Sequence, residues 1–198
     1  MRTGTPSDAP LIRTLFANAY VDDPLMRWVF PDDELRVEAT AAWLGAFIDR
    51  YVSTGRFVVA DDGDTLTGAA IWRWPADGQG DDTPILPSPG GVLRALVGDA
   101  RAHEIGAAFG VVPPLRPPAP YAYLHFLAVD AAHRRHGVAR TLVTAGVDAA
   151  TRDGLGVVLE TTNPDNHPFY RALGFNVVGT TRLGGDGPEI SVMATGSD

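Results

Sequence analysis

The sequence predicts a mixed α/β (α+β) fold, a single domain built on one central sheet. Three observations carry that expectation. Residues 121–194 read as strand, helix, strand, helix, strand, strand; residues 8–74 read as amphipathic helices and one hairpin; and 198 residues is close to the usual size of one domain.

The elements follow in order. Asp8 caps a helix running to about Tyr20, with Leu11, Ile12, Leu15 and Phe16 at helical spacing. Ahead of it, only residues 2–5 supply a first strand, short or frayed. Asp22-Asp23-Pro24 breaks the chain and opens a short segment over 25–30, stopped by Pro31. Asp32 or Asp33 caps a longer helix to about Thr54 that carries Val37, Trp43, Leu44, Phe47 and Ile48, and Gly55 closes it. Residues 57–60 and 66–74 form a hairpin around the turn 61–64. Residues 75–91 read as loop, 92–109 as one helix, and 113–120, with five prolines, as a stiff connector. The N-terminal part supplies too few strands for a core of its own, so residues 1–198 are read as one domain with an insertion.

After the connector, residues 121–129 form a strand, 130–136 a polar link, and 137–153 a helix with Arg140, Thr144, Asp148 and Arg152 along one stripe. Residues 157–161, 175–181 and 188–194 are strands, and 167–173 is a short helix.

Composition narrows the function. With 45% apolar and 20% charged residues the chain is an ordinary globular protein. The absence of cysteine excludes disulfides, thiolate metal sites and a cysteine nucleophile, and fits a cytoplasmic setting. A net charge of −8 argues against nucleic acid as a partner. It suits a cationic amine, and equally serves plain solubility. No apolar run reaches the roughly 18 residues that span a bilayer, and residues 1–10 do not read as a signal peptide, so no membrane partner is expected.

The chemistry concentrates at Arg134-Arg135-His136-Gly137-Val138-Ala139, where a strand hands over to a helix. The first N–H groups of a helix lack backbone partners and sit at the positive end of its dipole, so such a turn accepts phosphate. Gly137 removes the Cβ that would hold a pyrophosphate away, Ala139 stays small, and Arg134, Arg135 and Arg140 add charge. Taken alone the pattern also describes any arginine-rich helix start. Other signatures are missing: there is no Gly-x-Gly-x-x-Gly after a strand, no Gly-Lys-Ser/Thr, no His-Glu-x-x-His and no Gly-x-Ser-x-Gly. His133 and His136 stand three apart without an evident third ligand, so no metal is expected.

Leu127-Ala128-Val129 followed by Arg134, Gly137 and Ala139 resembles motif A of the GNAT acetyltransferase superfamily. Leu159-Glu160-Thr161-Thr162-Asn163 and Asn166-His167-Pro168-Phe169-Tyr170-Arg171-Ala172-Leu173-Gly174-Phe175 resemble its motif B. Asp23-Pro24, Arg27-Trp28 and Pro31-Asp32 add a resemblance to the puromycin N-acetyltransferase-like branch. The resemblance implies a GNAT fold: one mixed sheet of six to seven strands flanked by helices, splayed at the strands around 121–129 and 157–163. It implies acetyl-CoA as co-substrate, held by Leu127, Ala128, Val129, Arg134, Arg135, His136, Gly137, Val138, Ala139, Arg140, Asn163, Asn166, Phe169 and Tyr170.

Tyr170 matches the phenol that protonates the leaving thiolate in many members, against the alternative of a plain core tyrosine. His125 matches a histidine of arylalkylamine acetyltransferases and is read as general base or as a structural hydrogen-bonder. Period-two alternation puts Tyr123, His125 and Leu127 on one face. Glu160 is the competing base, or a salt-bridge partner, and Asn166 is equally a helix cap. Trp28, Phe30, Trp72 and Trp74 are candidates for an aromatic substrate wall, with Asp22, Asp23 and Asp32 for amine charge, although for each one a core or surface place is the commoner role. The expected reaction is N-acetylation of a small-molecule amine by a monomer or homodimer. The alternatives are a protein N-terminal or lysine acetyltransferase and a non-catalytic acyl-CoA-binding sensor.

Overall fold

The computed structural model describes residues 1–54, 57–63, 65–75 and 87–196. The expected closing Gly55, part of the hairpin turn and most of the 75–91 loop lie outside the described residues. The elements run β1 (Arg2–Thr3), α1 (Ala9–Tyr20), α2 (Pro24–Val29), α3 (Arg36–Thr54), β2 (Phe57–Asp62), β3 (Thr65–Arg73), α4 (Pro89–Val97) and α5 (Asp99–Phe109). They continue as β4 (Tyr121–Val129), α6 (Val138–Arg152), β5 (Gly156–Thr161), α7 (His167–Arg171), β6 (Phe175–Arg182) and β7 (Glu189–Thr195).

Seven strands make one sheet in the order β1-β2-β3-β4-β5-β7-β6. Among the described residues only β4 and β5 pair in parallel, and the other pairs are antiparallel. A parallel pair needs a crossover, and α6 provides it. Helix α6 covers one face, packing Leu142, Val143 and Ala150 on Trp72, Leu124 and Leu159. Helices α1 to α5 cover the other, where Ile12, Phe16, Leu44, Ile48 and Ile105 meet Phe57, Val59 and Ile71.

Several boundaries differ from expectation for local reasons. Gly98, at φ +80°, breaks the expected 92–109 helix into α4 and α5. Ser88 caps α4 through the Gly91 N–H at 3.1 Å, with Pro89 in the first turn, so this helix starts three residues early. Asp8 does not cap α1. Its carboxylate takes two bonds from Arg2 at 2.7 and 2.8 Å and one from the Thr5 N–H at 2.6 Å, tying β1 to the helix start. Helix α3 starts at Arg36, not at an aspartate cap, because the buried Arg36 guanidinium is used to satisfy the carbonyls of Phe30 and Pro31.

Two features of β4 prepare the site. It pairs with β5 only from Tyr121↔Gly156 to Leu124↔Leu159, after which the two strands part. Against β3 the register jumps from Trp72↔Leu124 to Ile71↔Phe126, leaving His125 as the extra residue of a bulge. The bulge overturns the expected alternation. His125 and Phe126 stack on the same face, centroids 4.0 Å apart, and the Leu127 side chain packs toward α6 on the opposite one.

Candidate active site

The parting of β4 from β5 opens a cavity of about 670 Å³ between the helical layer and the sheet. Its size is that of a small-molecule site. Leu127, Ala128, Val129, Arg134, Ala139, Asn163, Asn166, Phe169 and Tyr170 all line it, so nine of the expected cofactor contacts converge. Arg135, His136, Gly137 and Arg140 stand exposed on the turn just beyond, and the Val138 side chain packs inward against α6's own neighbours.

The turn has the expected character. Arg135 and Gly137 both take left-handed backbone, at φ +65° and +83°. Among the described residues no backbone acceptor is recorded for the N–H groups of residues 135–137, and a Cβ at Gly137 would meet nothing within 4 Å. The amides entering α6 are therefore open to an anion, with three arginines beside them. Residues and backbone here fit a diphosphate such as that of CoA.

At the splay, a missing strand leaves the N–H and C=O of Leu127 without a β5 partner. The Tyr20 hydroxyl fills both roles: it accepts from the Leu127 N–H at 3.2 Å and donates to the Leu127 carbonyl at 3.1 Å. Sequence reasoning missed Tyr20, which reads only as the last residue of α1. Burial raises its pKa, so the phenol stays neutral.

Tyr170, held in α7 between Phe169 and Phe175, faces the same cavity. Burial, and then the charge of Asp23, push its pKa up, so it carries its proton at working pH. His125 donates or accepts through Nδ1 to the Tyr51 hydroxyl at 2.6 Å. Phe47, Tyr51 and Tyr123 also pack around the ring. Burial first, then Arg73 and Arg116, lower its pKa to about 3, so this imidazole is neutral and a weak proton acceptor. Glu160 lines the cavity with both oxygens engaged, Oε1 by Arg116 Nε at 2.6 Å and Oε2 by the Tyr123 hydroxyl at 3.1 Å. Arg116 comes from the proline-rich connector and was not singled out by its sequence.

Asp22 and Asp23 line the cavity; Asp32 does not, and caps the chain at the Glu34 N–H instead. Asn163 accepts from the Asp165 N–H at 3.0 Å, and Asn166 donates to Thr161 at 3.3 Å, so each has a local structural bond as well as a cavity face. None of the four candidates for an aromatic wall lines the cavity, and each has the core or surface place that was the alternative. Trp72 and Trp74 lie under α6 on the other face of the sheet, Phe30 is buried against Trp43, and Trp28 is fixed by Asp186 and Arg101. The wall consists of Trp43, Phe47, Phe109, Tyr123 and Phe126. His133 bonds Asp130 at 2.9 Å, and no metal-ligand cluster occurs among the described residues.

A family model described as the acetyltransferase (GNAT) family matches residues 17–175. The chain belongs to the GNAT acetyltransferase family. Solved structures share the fold. One is described as histone acetyltransferase HPA2 and related acetyltransferase from Corynebacterium glutamicum; it is 22% identical, with a TM-score of 0.68 over 100% of this chain and 98% of that one. A PaiA N-acetyltransferase from Thermoplasma acidophilum, in complex with coenzyme A, is 13% identical with a TM-score of 0.60 over 99% and 97%. A mosquito arylalkylamine N-acetyltransferase like 5b is 17% identical with a TM-score of 0.56 over 98% and 97%. Membership of the GNAT family supports the use of acetyl-CoA. No helix among the described residues is long and apolar enough to cross a membrane.

Proposed function

We propose that this GNAT protein transfers the acetyl group of acetyl-CoA to the primary amine of a small molecule, by direct attack in a ternary complex. The observation that supports the reading is one cavity that runs from Arg134 and Ala139, on either side of the Gly137 turn, past the β4 edge at Leu127, where the Tyr20 hydroxyl stands in for a strand, to Tyr170. Diphosphate at the turn would lay the pantetheine along β4. The Leu127 N–H then becomes a donor to the thioester oxygen as it gains negative charge. Tyr170, neutral and buried, supplies a proton to the departing sulfur.

A small amine suits the remaining space better than a peptide does, because the acceptor end is an aromatic-walled chamber carrying carboxylates. The likeness in fold to a mosquito arylalkylamine N-acetyltransferase is consistent with this reading.

The test is thiol release from acetyl-CoA with a panel of arylalkyl and alkyl amines, alongside lysine-containing and N-terminal peptides. Small amines are expected to give turnover at low concentration. Turnover with peptides alone would favour protein acetylation, and binding of acetyl-CoA without turnover would leave the sensor reading.

A further inference from the structure

We propose that the Asp23 carboxylate is the proton acceptor for the incoming ammonium group, and that it selects cationic amines at the mouth of the splay. The inference rests on the acetyl-transfer reading and assigns the step which that reading leaves open.

The geometry of Asp23 separates its two oxygens. Oδ1 accepts the Leu25 N–H at 2.9 Å, which caps α2, and the Thr162 hydroxyl at 2.8 Å, which anchors it to the chain just past β5. Among the described residues Asp23 Oδ2 has no hydrogen-bond or ion-pair partner, and it is not fully buried. One oxygen is thus fixed by the fold, and the other opens to the cavity. The carboxylate is held in place with one oxygen free to bond.

The surroundings tune it for proton transfer. The Asp23 charge helps to hold the phenols of Tyr20 from α1 and Tyr170 from α7 neutral, and its own pKa is set by burial and its two hydrogen bonds. The adjacent Asp22 is paired with Arg27 at 2.6 Å. Of the two arginines that line the cavity, Arg116 is committed to Glu160, and Arg134 makes no ion pair with Asp23 among the described residues. With no cation paired to it, burial raises the Asp23 pKa above its usual value despite the two hydrogen bonds. The other two acid–base candidates are less suited: His125, its pKa lowered to about 3 by burial first, is a weak proton acceptor with Nδ1 engaged by Tyr51, and Glu160 has both oxygens engaged.

The step balances as follows. The ammonium gives one proton to Asp23, and the freed nitrogen lone pair forms the C–N bond while the C=O pair moves to oxygen. On collapse the C–S pair leaves with sulfur, which takes the Tyr170 proton. The second nitrogen proton restores Tyr170, and Asp23 returns its own to water. The products are the amide, CoA thiol and one proton.

Asp23→Asn tests this, because asparagine keeps the cap and the bond to Thr162 while abolishing the base. Expected is a loss of about 100-fold in kcat/KM at neutral pH for strongly basic amines, the scale of one general base. Acetyl-CoA affinity by calorimetry should be unchanged. The loss should shrink for weakly basic aromatic amines, already neutral at that pH, and as pH approaches the acceptor's own pKa. Thr162→Val removes a bond to the charged form and should move the acidic limb to higher pH. The proposal is overturned if wild type turns over amines while Asp23→Asn keeps the same acidic limb, or loses equally with basic and weakly basic amines. Wild type that binds acetyl-CoA but acetylates no amine would instead overturn the acetyl-transfer reading, and this inference with it.

Discussion

Tyr20 and Tyr170 are both buried phenols beside the same splay, and they are expected to fail differently. Tyr170→Phe removes the proton donor, so kcat should fall by at least about 100-fold while acetyl-CoA affinity holds. Steady-state thiol release with parallel calorimetry checks both; an unchanged kcat across pH contradicts the acid role. Tyr20→Phe strips the hydroxyl from the Leu127 N–H and C=O. Leaving those groups unpaired costs about 1–3 kcal/mol in the ligand-free protein. A co-substrate that uses the same strand edge no longer has a hydroxyl to displace. The variant should therefore melt lower when empty and recover more than wild type when CoA is added, a difference that thermal shift with and without CoA resolves.

At the scale of elements, α6 approaches β3 so closely that Gly146 admits no side chain: a Cβ there would stand 2.0 Å from the Trp72 ring. Alanine at a helical glycine normally gains about 1 kcal/mol. Here overpacking outweighs that gain, so Gly146→Ala should lose roughly 1–3 kcal/mol in urea unfolding. A stabilised variant would show that the helix rides further from the sheet. What could be read from the sequence follows the same line between local and long-range order. The Gly137 turn, the β4–α6–β5 crossover and Tyr170 are encoded within short stretches whose residue types specify them. The acceptor wall is not, because choosing Phe47 and Trp43 over Trp72 and Trp74 depends on which face of the sheet each helix covers. The alternation through Tyr123, His125 and Leu127 failed at a single bulge, which the sequence does not mark. Arg116 reaches Glu160 only because the proline-rich connector folds back across β5.

Across the whole molecule, two carboxylates bend the stability profile in opposite directions. Asp8 is held well below its usual pKa, first by Arg2 and then by Thr5. The native state binds that proton more weakly than the unfolded chain, so Asp8 stabilises above the ordinary carboxylate pKa of 3.8 and loses this as pH falls. Asp23 has the reverse sign. Its raised pKa means the native state binds the proton more tightly, so stability declines as pH rises from 3.8 through its folded value. Asp23→Asn should consequently be at least as stable as wild type at neutral pH while being the less active protein. Chemical unfolding at pH 7 checks this, and a clearly less stable variant would contradict the unfavourable burial assigned to Asp23.

All of this depends on the turn entering α6 gripping a diphosphate, and titration calorimetry of CoA into the protein tests that most directly. The account predicts one site per chain, an affinity that weakens as salt is raised, and a loss of at least tenfold in Gly137→Val, whose β-branched side chain opposes the φ of +83° that opens the amides. No binding of CoA or acetyl-CoA by wild type, or undiminished binding by the valine variant, would contradict it.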